Sequence, residues 1–253
     1  MKQYFVNKDS VVREIWGKSD TILFIFAGAS AEFALNKAVD WLYYTGRLPK
    51  DPLGRLFSTV NYARLIVFSE TEAANAAIKK IAAIHTAVED NRGSKIPDWA
   101  YRDVLYMLIH YSISSFELLE RKLDSDEKEE VFNVFYRVGD MMGLKELPHN
   151  YLAWRVSQHH HLQNDLIKSD FTTDLFRQYK KHLGIVRYAL LIESQKLVVP
   201  PKVAELMGFR KIYFLKPVLW IYQLSKKCRV DNLLKAAVLP KAYKQEISEL
   251  DVV

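Results

Sequence analysis

The 253-residue chain carries a formal net charge of +6, and 49% of its residues are hydrophobic and 13% aromatic. This composition can bury a sizeable core, which excludes an intrinsically disordered protein, and no linker rich in Gly, Ser or Pro divides the sequence. We therefore expect one domain over residues 1–253. The single cysteine, Cys228, excludes an internal disulfide framework and favours the cytoplasm as the location.

The beginning of the sequence lacks the pattern of a secretion signal. The longest apolar run, residues 21–35, is shorter than the roughly 20 residues that cross a bilayer. Positive charge is concentrated in residues 196–245, which contain 11 Lys and Arg against Glu205 and Asp231. Aromatic and apolar residues lie among these cations. The segment is either a peripheral contact with a membrane surface or a helix with a core face and a solvated basic face. No nucleic-acid partner is expected.

Helix signals recur along the whole sequence, whereas hairpin turns and sustained two-residue alternation are missing, so we predict an all-α domain of about ten helices. The first long helix should run from Ser19 or Asp20 to about residue 44. A second should cover residues 52–68, with Pro52 in its first turn. Ser69 and Glu72 have the spacing of a capping box, which predicts a third helix from there to residue 90, closed by Gly93.

The second half of the sequence continues the same pattern. A helix that opens at residues 97–98 should reach about residue 123, and Asp124 and Glu127 form the capping box of the next one. Further helices should follow Asn150 and Ser169, with Gly184 ending the second of these. The remaining predicted helices cover residues 188–199, 203–207, 216–226 and 232–237.

The predicted third helix carries a histidine on its apolar face. Ile78, Ile81, His85 and Val88 are spaced three, four and three residues apart, so they share one stripe and His85 should point inward. A neutral imidazole among apolar side chains is suited to the axial coordination of a haem iron. By itself this pattern is more typical of a hydrogen-bonded core histidine than of a metal ligand.

Arg55 and Thr59 are four residues apart on the predicted second helix and therefore lie on one face. Arg can donate several hydrogen bonds to a propionate or an oxygen species, and Thr adds a hydroxyl. The alternative is a surface arginine and a threonine bonded back to its own helix.

Other chemistries have little support in the sequence. There is no H-E-x-x-H, nucleophile elbow, P-loop or G-x-G-x-x-G motif. His159, His160 and His161 are consecutive, and helical neighbours diverge by about 100°, so the three cannot readily bind one ion. At most one of them, His161 or His159, should point inward.

Several segments together resemble the MpaB-like oxygenase family, which includes the bacterial rubber oxygenases. They are REIWG at 13–17, FAG at 26–28, DPLGRL at 51–56 with Thr59, IHTAV at 84–88, WAYRD at 99–103, HLQNDL at 161–166 and SDFT at 169–172. Their order and spacing over about residues 11–201 carry the resemblance, with a weaker echo to residue 243.

The resemblance implies a globin-like helical core that binds haem b and uses dioxygen on a hydrophobic, isoprenoid or lipid-like substrate. His85 matches the proximal iron ligand, and Arg55 and Thr59 match the helix that faces the haem. Asp40, or less closely Glu32, matches a carboxylate with the role of a base. Ser58 stands where the rubber-cleaving branch has lysine, which argues against polyisoprene as the substrate. The competing hypothesis is a non-catalytic, lipid-binding or membrane-associated module of the same fold.

Overall fold

The computed structural model describes residues 3–46 and 50–227, and this part of the chain is all-α. It contains eleven helices and, outside them, two isolated β-bridges. The helices are α1 Val11–Trp16, α2 Ser19–Leu35, α3 Asp40–Tyr44, α4 Pro52–Phe68, α5 Thr71–Arg92, α6 Asp98–Leu119, α7 Ser125–Met141, α8 Tyr151–Asn164, α9 Asp170–Val198, α10 Pro201–Met207 and α11 Leu215–Lys227. Across the described residues, none of these helices is both long enough and apolar enough to cross a bilayer.

Helix α2 lies at the centre of the domain and makes its most extensive contacts with α6 and α9. Its residues are buried on nearly all sides, as expected for a helix that is apolar around its circumference. Gly28 permits the close approach to α6, because a Cβ atom there would lie 2.2 Å from Cε1 of the Tyr111 ring. The core that surrounds α2 includes large, fully buried side chains such as Trp16, Phe116 and Phe132.

Several of the predicted helix ends are confirmed. The Asp51 side chain accepts a hydrogen bond from the backbone N–H of Gly54 at the start of α4. Asp124 and Glu127 form the predicted reciprocal capping box of α7. Gly93 closes α5 in the left-handed conformation, with φ 70°. Gly184 has φ 72° inside α9, so the segment consists of two helical stretches joined at a kink, as the sequence predicted.

The predicted capping box at Ser69 is wrong. α5 begins at Thr71, and its N-cap residue, Glu70, makes no side-chain cap. The N-terminal segment pairs with this stretch instead: Tyr4 and Glu70 form an antiparallel bridge, and the Thr71 N–H donates to the Gln3 carbonyl at 2.9 Å. Backbone pairing therefore keeps residues 69–70 extended and delays the start of the helix.

The predicted single helix over residues 19–44 is also wrong, because α2 ends at Leu35 and α3 begins at Asp40. Asn36 causes the break, because both polar atoms of its side-chain amide form hydrogen bonds. Its Oδ1 accepts from the backbone N–H of Ala38, and its Nδ2 donates to the carboxylate of Asp103 at 2.8 Å. The predicted helix at residues 232–237 and Cys228 lie outside the described residues.

Candidate functional site

His85 lies on α5, half-buried, on the stripe that the sequence predicted. Its Nδ1 atom is buried and has no hydrogen-bond partner among the described residues. The ring packs against Tyr101, with 5.2 Å between ring centroids. Burial, and secondarily the charge of Arg55, lower the pKa of His85 below its ordinary value of 6.5, although Glu89 acts in the opposite direction. The imidazole is therefore neutral at physiological pH.

Glu89, one turn beyond His85, fixes the surroundings of this ring. Its carboxylate accepts from the Lys95 ammonium at 2.8 Å, the Ile96 N–H at 3.0 Å and the Tyr101 hydroxyl at 3.0 Å. These hydrogen bonds keep Glu89 ionised and lower its pKa, against the effect of burial. They also hold the Tyr101 ring in place beside His85. This support was not predicted, although the i, i+4 spacing of His85 and Glu89 is a sequence signal for it.

Arg55 and Thr59 lie on α4, which packs against α5. Arg55 is close enough to His85 to influence its pKa electrostatically, so these two predicted site residues come together. The Thr59 hydroxyl donates to the backbone carbonyl of Arg55 at 3.1 Å. In this conformation Thr59 is bonded back to its own helix, which is the alternative that the sequence left open.

Asp40 is the first residue of α3 and forms an ion pair with α5, the helix that carries His85. Its Oδ2 forms an ion pair with Arg92 at 2.6 Å, and the Arg92 guanidinium stacks on Trp41 with 4.0 Å to the ring centroid. Arg92 follows His85 by two turns of α5, which is about 10 Å along the helix axis. The carboxylate of Asp40 is thus held by a cation near the C-terminal end of α5.

A second polar cluster is buried between α2, α6 and α8. The imidazole of His161 has Glu32 on one side, with 3.2 Å from Nε2 to Oε1, and Asp103 on the other, with 2.8 Å from Nδ1 to Oδ1. Glu32, Asp103 and His161 are at most 2% exposed in relative terms. The Tyr111 hydroxyl donates to the second oxygen of Glu32 at 2.6 Å. Glu32 is therefore part of a closed network rather than a carboxylate that faces an open site.

The electrostatics of this cluster favour a charged histidine. Burial alone would lower the pKa of His161, but the carboxylates of Asp103 and Glu32 outweigh that effect and raise it to about 10. Burial raises the pKa of Asp103, although His161 and Asn36 act against it. The prediction about the three consecutive histidines is confirmed, because His161 is buried whereas His159 and His160 are exposed.

The family model described as "ER-bound oxygenase mpaB/B'/Rubber oxygenase, catalytic domain" matches residues 16–220, which is most of the chain. The chain belongs to this family. It is accordingly an all-α oxygenase-family catalytic domain, and the resemblance inferred from the short sequence segments is confirmed. A comparison with curated proteins gave no match, and neither did a comparison with solved structures.

The family match covers both polar sites and extends into α11. The His85 site lies between α4 and α5, and the His161 cluster lies between α2, α6 and α8. An oxygenase needs a centre that reacts with dioxygen. Among the described residues, the Nδ1 atom of His85 and the carboxylate-rich cluster around His161 are two places that could hold a metal.

Proposed function

We propose that this member of the family is a haem-b-dependent oxygenase that acts with dioxygen on a hydrophobic, isoprenoid or lipid-like substrate. His85 would hold the iron through a ring nitrogen. The observation that carries the proposal is the buried, unpartnered Nδ1 of a histidine whose pKa is lowered. Iron is bound by the neutral form of imidazole, and a ring nitrogen without a protein partner is available either to the metal or to a hydrogen bond that fixes the ring.

The neighbouring residues differ in how well they are placed to contact a haem. Arg55 supplies positive charge on the side of His85 from which α4 approaches, and a guanidinium is well suited to a propionate. Thr59 lies one turn further along the same helix, and its hydroxyl would have to leave the Arg55 carbonyl to reach a ligand. Haem supplies the redox chemistry with dioxygen when it is bound.

Asp40 is the proposed base of this site. Its ion pair with Arg92, at 2.6 Å, restrains the carboxylate at the C-terminal end of α5. Ser58, in place of the lysine of the rubber-cleaving branch, offers a hydroxyl and no amine. This difference is the reason for proposing a substrate smaller than polyisoprene.

The test is the absorption spectrum of protein expressed with adequate haem supply or reconstituted with haemin. We expect a Soret band from the wild type and from His160→Ala, a control that removes an exposed histidine on α8. His85→Ala should lose the band, and Arg55→Ala should weaken haem retention while leaving helical content unchanged. Protein that remains haem-free after reconstitution would refute the proposal, as would a His85→Ala variant with an unchanged spectrum.

A second candidate function is a membrane-associated or lipid-binding module without catalysis. It is favoured by the large apolar side chains that α11 and the residues before it expose. Phe214 is 70% exposed and Trp220 64%, and the exposed Lys216 lies between them in the sequence. Sedimentation with anionic vesicles, compared between wild type and Trp220→Ser, tests this contact. Vesicle binding without haem uptake would favour the module, and lack of binding at low salt would count against it.

A further inference from the structure

The buried cluster around His161 has a third carboxylate at its rim. Asp165 directly follows α8, one turn after His161, and its Oδ2 lies 3.4 Å from His161 Nδ1. The same nitrogen lies 2.8 Å from Asp103 Oδ1. One atom from each of these three residues lies within 4.8 Å of the other two. Two carboxylates therefore converge on one ring nitrogen, which belongs to a side chain that is 2% exposed.

Nδ1 contacts both carboxylates at ion-pair distance, but neither contact has the geometry of a good hydrogen bond. Both separations also match those between ligands of a common metal ion. With metal–ligand bonds of about 2.1 Å, adjacent ligands are about 3.0 Å apart in an octahedral site and about 3.4 Å apart in a tetrahedral one. The observed 2.8 and 3.4 Å fall close to these values.

The residues behind these three atoms are those expected around a metal ligand. A metal-bound histidine usually donates its other ring N–H to a carboxylate, and Glu32 stands at that position, 3.2 Å from Nε2. Glu32 is itself oriented by the Tyr111 hydroxyl. On the other side, Asn36 donates to the second oxygen of Asp103, which fixes the plane of that carboxylate. The ring is therefore held with Nδ1 directed at Asp103 and Asp165.

The charges of the buried cluster also favour a bound cation. Within the described residues, Glu32, Asp103 and Asp165 form ion pairs with His161, and the structure shows no Lys or Arg paired with any of them. One imidazolium cannot neutralise three carboxylates, and buried excess charge is costly. A divalent cation with a neutral imidazole would leave a smaller net charge. Asp165 is 23% exposed, which gives a cation a route from solvent.

We propose that His161 Nδ1, Asp103 and Asp165 bind one divalent transition-metal cation, with Glu32 as the residue that positions the imidazole. One nitrogen and two carboxylate oxygens suit Mn²⁺, Fe²⁺ or Zn²⁺. This site is separate from the one proposed at His85 and does not depend on it. The haem spectrum reports on the His85 site and cation binding reports on the His161 site. Either proposal can therefore fail while the other stands.

Equilibrium dialysis of untagged, EDTA-treated protein against MnCl₂ or ZnCl₂, followed by elemental analysis, measures the stoichiometry and the affinity. We expect one saturable equivalent per chain and a higher Tm in the presence of the cation. Asp165→Asn removes the most exposed ligand and should weaken binding at least about 10-fold. His161→Gln should abolish saturable binding. His160→Gln is the matched control, since it deletes a neighbouring but exposed imidazole.

Circular dichroism establishes that each variant is folded. If His161→Gln does not fold, Asp165→Asn decides the question, because that side chain reaches the surface. A folded wild type that takes up no stoichiometric cation overturns the proposal. So does an Asp165→Asn variant with wild-type affinity, because the cation would then be bound elsewhere. Weakened binding in Asp165→Asn together with unchanged binding in His160→Gln supports the site.

Discussion

The contact between α2 and α6 gives a stability prediction for Gly28→Ala. A Cβ atom at residue 28 would lie 2.2 Å from Cε1 of Tyr111 and 2.9 Å from Cγ2 of Val198, whereas ordinary contact begins at 3.4 Å. The ring would have to move by at least about 1 Å in a core packed at crystal-like density. It is fully buried, and its hydroxyl is bonded to Glu32, so it has little room to do so.

The magnitude follows from three contributions. Overpacking of a core costs typically about 1–3 kcal/mol. Displacement of the Tyr111 hydroxyl from the Glu32 carboxylate costs about 1.5–3 kcal/mol, because the acceptor is charged. Replacing Gly by Ala inside a helix returns about 1 kcal/mol. The free energy of unfolding, measured by urea denaturation at pH 7, should therefore fall by about 1.5–5 kcal/mol.

Gly139→Ala on α7 is the matched control. It gains the same helix propensity, but the new Cβ would meet the ends of flexible side chains, Leu105 Cδ2 at 2.7 Å and Leu147 Cδ1 at 3.1 Å. Its unfolding free energy should change by less than about 1 kcal/mol, since leucine tips can rotate away. Equal stability of the two variants, or a stabilised Gly28→Ala, would refute the idea that the Tyr111 ring limits this contact.

Three further predictions concern pH and helix capping. The raised pKa of His161 stabilises the metal-free fold below pH 6.5, and this contribution is lost as the pH rises through about 10. Between pH 7 and pH 10 the unfolding free energy measured in urea should therefore fall more in the wild type than in His161→Gln, by up to about 3.5 kcal/mol. Because the pKa of His85 is lowered, haem uptake followed by the Soret band should persist below pH 6.5; loss of the band at that pH would contradict this. Asp124→Ala should cost about 1 kcal/mol of unfolding free energy, whereas Ser69→Ala should be nearly neutral.

Local sequence signals predicted the fold well where the helix ends are determined locally. The Asp124 cap, the Gly93 stop and the Gly184 kink depend on residues within one turn, and all three are present. The errors at Ser69 and Asn36 have the opposite origin. There the backbone or the side chain is bonded to a segment more than 60 residues away, and no local pattern reports such a partner.

The same distinction applies to the sites. Periodicity placed His85 on the correct stripe and showed that one histidine of the 159–161 run points inward. It could not show that His161 meets Glu32 and Asp103, because these residues are 129 and 58 positions away along the chain and come together only when α2, α6 and α8 pack. Spacing rules apply to one helix, whereas this cluster is assembled from three.

The break at Asn36 has a consequence for how the chain folds. Residues 31–39 contain three alanines and no glycine or proline, so before α6 docks they favour a continuous helix that joins α2 to α3. In the native state Asn36 is extended, with ψ 134°, and donates to Asp103. Local preference and tertiary structure are in conflict at this one residue. We expect docking of α6 to be coupled to the unwinding of one helical turn, which makes this corner a late step in folding.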